Sequence, residues 1–112
     1  MLKIECEYKR GILFVRLMGE INKTTIKNME IVDNMIEKAG IRYLLINLEK
    51  ATVINNKEIT DLIQRYKNLI GNDGKILICG YYSPIKLNID INDINTVCLS
   101  NKEINAFNMI NI

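Results

Sequence analysis

Apolar and polar residues change their spacing several times along this chain, and each change marks an element. Leu2, Ile4 and Cys6 alternate with Lys3, Glu5 and Glu7, the period of two that a half-buried strand over Leu2–Tyr8 requires. Lys9-Arg10-Gly11 interrupts it as a turn, with Gly11 free to take a positive φ. Ile12–Met18 is again rich in strand formers, so residues 2–18 predict an antiparallel hairpin that ends at Gly19-Glu20-Ile21-Asn22. From about residue 24 to 39 the spacing lengthens. Ile26, Met29, Val32, Met35, Ile36 and Ala39 predict one apolar helix face with Asp33 turned outward. Asn22, Thr24 and Thr25 are all competent N-caps, and Gly40 stands where a C-terminal glycine belongs.

The chain is organised around Arg42–Ile70. Tyr43-Leu44-Leu45-Ile46-Asn47-Leu48 is an almost unbroken apolar run, as expected of a strand covered on both faces. Thr52–Glu58 predicts a polar turn. Ile59, Leu62, Ile63, Tyr66 and Ile70 then recur at helical spacing, with Lys57, Asp61, Gln64, Arg65, Lys67 and Asn68 on the other side, predicting a helix over 56–70. Asn72-Asp73-Gly74 closes it, and Lys75–Gly80 is a further strand. Beyond it the pattern predicts a short irregular helix after Ser83-Pro84 and a last strand over Ile94–Leu99. Ser100–Glu103 reads as a capping box opening a helix through Ile104, Phe107 and Met109 or Ile110. Strand–helix–strand units following a hairpin predict an α/β fold: a mixed sheet of four to five strands, mostly parallel after the hairpin, with about four packed helices.

Composition narrows the function classes. The 112 residues are expected to form a single domain, 1–112, and 48% apolar with 25% charged residues is an ordinary globular balance. A net charge of +2, with both signs spread along the chain, leaves no electrostatic footprint for nucleic acid or an anionic membrane. The absence of histidine excludes a histidine-containing zinc site and a Ser–His or Cys–His nucleophile. Cys6, Cys79 and Cys98 stand singly in apolar runs, which predicts reduced, buried thiols in a cytoplasmic protein. No signal peptide, membrane span, cofactor or metal is expected, and no pair of carboxylates is set up for acid–base catalysis.

A helix starting beyond the carboxyl end of a strand presents free N–H groups and a partial positive charge. The candidate site is therefore the junction of the second strand and the helix over 56–70: Asn22, Asn55, Asn56, Lys57, Glu58, Thr60 and Asp61. By default Asn55 and Asn56 are capping residues and Lys57 is a solvated side chain. The functional alternatives are contact with a protein partner or the holding of an anion.

Three stretches resemble the STAS domains of bacterial anti-sigma-factor antagonists and sulfate transporters. Val15-Arg16-Leu17-Met18-Gly19-Glu20-Ile21 is similar to the family's strand ending in L-x-G-E-L-D. Leu45-Ile46-Asn47-Leu48-Glu49 is similar to its central strand. Gln64-Arg65-Tyr66-Lys67, followed by Lys75–Gly80 and Ser83-Pro84, resembles the end of its switch helix and the next strand. The resemblance implies a non-enzymatic module that docks on an anti-sigma factor or serine-kinase-type regulator, as a monomer or weak homodimer. It also implies a D-S-S-G motif, with phosphorylation of the second serine, at positions occupied here by Asn55, Asn56, Lys57 and Glu58. The acid closing G-E-L-D falls on Asn22. The acceptor hydroxyl is thus replaced by Lys57, and Thr60, one turn on, is the candidate displaced acceptor. The alternative function is a STAS domain that binds a nucleotide or other small anion, or serves as a scaffold.

Overall fold

The computed structural model describes residues 1–71, 73–80, 96–98 and 103. The expected helix after Ser83-Pro84 and the last helix beyond Glu103 lie outside the described residues. β1 (Leu2–Lys9) and β2 (Ile12–Ile21) pair antiparallel with Lys9 opposite Ile12, leaving a two-residue turn. Arg10 and Gly11 both take positive φ there, 51° and 85°. That is the combination a tight hairpin needs for its twist to match the strands.

A 3₁₀ turn over Thr25–Met29 leads into α1 (Glu30–Ala39), which ends at Gly40 with φ 63° and ψ 42°. The single predicted helix over 24–39 is therefore two segments. β3 (Tyr43–Asn47) pairs parallel with β2, and β5 (Lys75–Cys79) pairs parallel with β3. β6 (Thr96–Cys98) pairs parallel with β5. Among the described residues the continuous path is β1-β2-β3-β5-β6, five strands of a mixed sheet such as the sequence predicts, with one more strand paired off that path.

A short further strand, β4 (Ala51–Ile54), falls where a polar turn was expected and pairs parallel with the end of β2. The ladder shifts register between Gly19 and Glu20. Gly19 has φ 110°, and a Cβ there would come within 2.3 Å of the Met1 carbonyl oxygen, so only glycine fits. α2 (Asn56–Ile70) then returns the chain to β5.

Alternation along β2 sorts its side chains onto two faces. Leu13, Val15 and Leu17 join Leu44, Ile46, Ile76 and Ile78 beneath the helices, where Met29, Val32, Ile36, Ile59, Leu62, Ile63 and Tyr66 close the main core. Ile12 and Phe14 point the other way, into a second buried cluster with Leu45, Leu77 and Cys79. Burial on both faces is what the apolar run of β3 predicts. Truncating a residue such as Leu44, fully buried, costs about 2–5 kcal/mol.

One residue on α1 reverses its expected orientation. Asp33 is buried instead of facing out, and its carboxylate pairs with Arg65 on α2. Once α1 starts at Glu30, Met29, Val32, Asp33 and Ile36 share the inward face, and Arg65 supplies the counter-charge that burial of a carboxylate demands. Met35 drifts to the edge of that face and is part exposed.

Candidate functional site

The candidate site forms where β2, β4 and α2 meet. The backbone N–H of Asn55 donates to the carbonyl of Ile21 at 2.9 Å, which seats the tip of α2 against the end of β2. The Asn55 side chain accepts the N–H of Glu58 at 3.1 Å, and its carbonyl accepts from Ile59 at 3.1 Å. Asn55 is thus the N-cap, with extended φ and ψ of −79° and 115°. The reciprocal half of a capping box is not made, because the Asn55 N–H that Glu58 would accept already serves Ile21.

Asn22 is the matching turn residue at the end of β2. Its side-chain oxygen accepts the N–H groups of Thr24 and Thr25 at 2.9 and 3.0 Å. The Thr25 hydroxyl accepts from the Asn22 N–H and donates to the carbonyl of Glu20. Of the three predicted caps, Asn22 therefore does the capping and Thr25 braces it. Asn56 and Lys57 are exposed, Glu58 and Thr60 half-buried, and Asp61 exposed. Lys57 reaches Asp61 at 3.2 Å, one turn along, with both side chains in solvent. Such a pair contributes about 0.2–0.5 kcal/mol and leaves both groups free to rearrange.

This geometry weakens an anion site. With the Glu58 N–H taken by Asn55, one of the free donors at the helix tip is no longer available to a ligand. Val53 on β4, by contrast, is 55% exposed beside the tip and was missed by the sequence reading. Its only signal was the branched pair Val53-Ile54 within a stretch read as turn.

A second polar arrangement lies on the far face of the sheet. The strand registers place Glu5, Arg16, Asn47 and Cys79 in one row across β1, β2, β3 and β5. Glu103 lies over that row. Arg16 donates from Nε and Nη2 to its two oxygens at 2.7 and 2.9 Å, and Asn47 donates to it at 2.9 Å. The Arg16 and Asn47 hydrogen bonds hold the Glu103 carboxyl below its usual range. Burial pushes the Cys79 thiol up to about 12, helped by the Glu103 and Glu49 carboxylates, so it is a poor nucleophile at neutral pH. Among the described residues, no group of His, Cys, Asp or Glu is placed to hold a metal ion, and no helix is long and apolar enough to cross a membrane.

A hairpin-led mixed sheet with α1 and α2 on one face, and a short strand feeding the α2 tip, is a fold shared with solved anti-sigma factor antagonist structures. Across 113 aligned residues, 99% of this chain and 97% of the relative, it is 23% identical to an anti-sigma F factor antagonist of Paenibacillus polymyxa. Among solved structures, it resembles the unphosphorylated anti-sigma factor antagonist SpoIIAA with a TM-score of 0.70 at 12% identity, covering 99% of this chain and 98% of that one. It resembles a substituted RsbS of Moorella thermoacetica with a TM-score of 0.73 at 14% identity, covering 97% and 96%. The phosphorylated Bacillus SpoIIAA gives 0.64 at 12% identity, covering 98% and 99%. No family model matches the sequence. The resemblance read from the residues and the fold expected from it both stand.

Proposed function

We propose that this chain is a non-enzymatic interaction domain that docks on an anti-sigma factor or serine-kinase-type regulator through the end of β2 and the tip of α2. Asn22, Asn55, Asn56, Lys57, Glu58, Thr60 and Asp61 make the docking face, and serine phosphorylation at the usual position does not control it. One observation carries this reading: at a solvent-facing helix tip, the second residue of α2 is Lys57, a cation with no acceptor hydroxyl. A phosphoserine there would bring about −1.5 to −2 charges to a position the helix dipole favours. Lysine instead offers a fixed positive charge to an acidic patch. Thr60, one turn along α2, is half-buried and so less open to a kinase than the exposed helix tip.

The test pairs calorimetry with intact-mass measurement, using a serine-kinase-type anti-sigma factor of the same organism. Binding should survive incubation with ATP, and the mass of the chain should not change. The Lys57→Ser variant should gain one phosphoryl group and then lose affinity. Absence of binding by the unmodified chain overturns the docking assignment. A phosphoryl group on the unmodified chain overturns the claim that its docking is not switched.

A further inference from the structure

β1 is an edge strand: among the described residues its one strand neighbour is β2. The hairpin register settles which of its backbone groups are spare. Residues flanking a two-residue turn exchange both bonds, so Lys9 and, at every second position, Glu7, Glu5 and Lys3 bond to β2. The N–H and C=O of Leu2, Ile4, Cys6 and Tyr8 therefore point away from the sheet. Asn28 confirms this at one end, where its side-chain amide donates to the Leu2 carbonyl at 3.2 Å. Among the described residues, Ile4, Cys6 and Tyr8 keep outward-facing donors and acceptors, an arrangement that invites a further strand.

Charged side chains often keep an edge unpaired, but on β1 they occupy one face only. Lys3, Glu5, Glu7 and Lys9 lie on that face and are exposed, while Leu2, Ile4, Cys6 and Tyr8 lie on the other. We infer that a second copy of this chain pairs antiparallel along β1 about a two-fold axis at Glu5, setting Lys3 of each copy against Glu7 of the other. Residues directly opposite in such a pair point to the same face and interact. An axis at Glu5 opposes Lys3 to Glu7, Ile4 to Cys6 and Leu2 to Tyr8, each twice.

The spare groups of Ile4 and Cys6 then exchange N–H···O=C bonds across the axis. Tyr8, 62% exposed, gains an apolar neighbour in Leu2 of the other copy. With the part-exposed Met35, Tyr8 also borders an apolar hollow of about 380 Å³, so the helix side of this edge is apolar as well. Glu5 meets its own copy on the axis, and the Arg16 guanidinium that each Glu5 holds at 2.8 Å offsets the like charges. Moving the axis to Cys6 would oppose Lys3 to Lys9 and Glu5 to Glu7, like charges throughout that face. Moving it to Ile4 would carry Glu7 and Tyr8 beyond the other copy's β1. The charge pattern thus selects one register, and it is complementary to itself. None of these residues belongs to the proposed docking face, so the inference goes beyond the docking reading and does not depend on it.

Sedimentation velocity of the full chain, from micromolar to millimolar, tests the pairing. The wild-type chain should pass from monomer to dimer across that range. Lys3→Glu and Glu7→Lys, each alone, set like charges opposite each other twice and should weaken association at least tenfold. An equimolar mixture of the two variants restores both opposite-charge pairs and should associate as well as wild type. Cys6→Pro should keep its fold by circular dichroism, because the N–H it removes faces away from β2, and should stay monomeric. A wild-type chain that remains monomeric at millimolar concentration overturns the pairing, as does a mixture that associates no better than its two components. If Glu7→Lys does not fold, Lys3→Glu and Cys6→Pro decide: undiminished association of either overturns the proposal.

Discussion

The N–H of Asn55 is bonded to the carbonyl of Ile21, so the cap of α2 and the end of β2 are one hydrogen-bonded unit. The same residue caps the helix through its side chain, accepting from Glu58. Asn55 therefore joins strand to helix with two different groups, and only the side-chain half is open to substitution.

Asn55→Ala removes the cap and keeps the bond to Ile21. Stability should fall by about 0.5–2 kcal/mol, the usual worth of an N-cap, with a drop of several degrees in Tm. Asn55→Asp and Asn55→Ser should restore most of it, because either oxygen accepts the Glu58 N–H. Denaturant unfolding of the three variants checks the order.

The hairpin, the apolar β3 and the face of α2 were legible because each depends on local periodicity and turn chemistry. Gly11 and Gly40 were legible for the same reason, since their backbone conformations are the ones glycine is chosen for. β4 was not, because four residues of mixed polarity carry no period; they become a strand through pairing with Glu20 and Ile21, some thirty positions earlier. Asp33 misled for a related reason. An acid on a helix reads as solvent-facing until a cation from another helix is brought to it, and nothing near Asp33 in sequence announces Arg65. The Arg16–Glu103 contact was out of reach on the same grounds. The positions of Asn55–Glu58 were readable, whereas the exposure of Val53 needed the path of β4.

The Asp33–Arg65 pair is asymmetric, with the Asp33 side chain 9% exposed and that of Arg65 54% exposed. Asp33 Oδ1 already has no hydrogen-bond partner among the described residues. Arg65→Ala should cost about 1–3 kcal/mol, mostly by leaving a buried carboxylate uncompensated. Adding Asp33→Leu should recover that loss or exceed it, because an apolar side chain of similar volume needs no counter-charge. A double-mutant cycle by urea unfolding checks this; additive costs would show that the two residues do not act on each other.

Glu103 gives the chain an acid limb in its stability. Its carboxyl is held below the ordinary value of 4.5 in the folded state, chiefly by Arg16. A depressed folded value means that the folded form favours the carboxylate. The stabilisation is thus fully present above the unfolded value and is lost as pH falls through the folded one. Between about pH 7 and about pH 5 the Glu103 contribution should be level, and below about pH 4.5 it should decline. Glu103→Gln should be less stable at neutral pH, by about 1–3 kcal/mol for a charge-assisted bond, and should show a shallower acid slope. Denaturant unfolding from about pH 3 to about pH 7 supplies both curves.

Lys57→Glu separates folding from docking at the α2 tip. In the first turn a glutamate suits the helix dipole better than a lysine, by about 0.3–1 kcal/mol. Against that, the substitution deletes the exposed pair with Asp61 and sets two acids one turn apart, which costs a similar few tenths. The net change in stability should stay within about 0.5 kcal/mol, so Tm should hardly move. Affinity for the regulator should behave differently. If Lys57 meets an acidic patch, reversing its charge replaces attraction by repulsion. The dissociation constant should rise by about tenfold or more, with a steeper loss at low ionic strength, where screening is weakest. Lys57→Gln should fall between the two, losing the attraction without adding repulsion. Equal affinities for the lysine, glutamine and glutamate forms would place the contact elsewhere on the domain, with exposed Val53 and the turn at Asn22 the next positions to substitute.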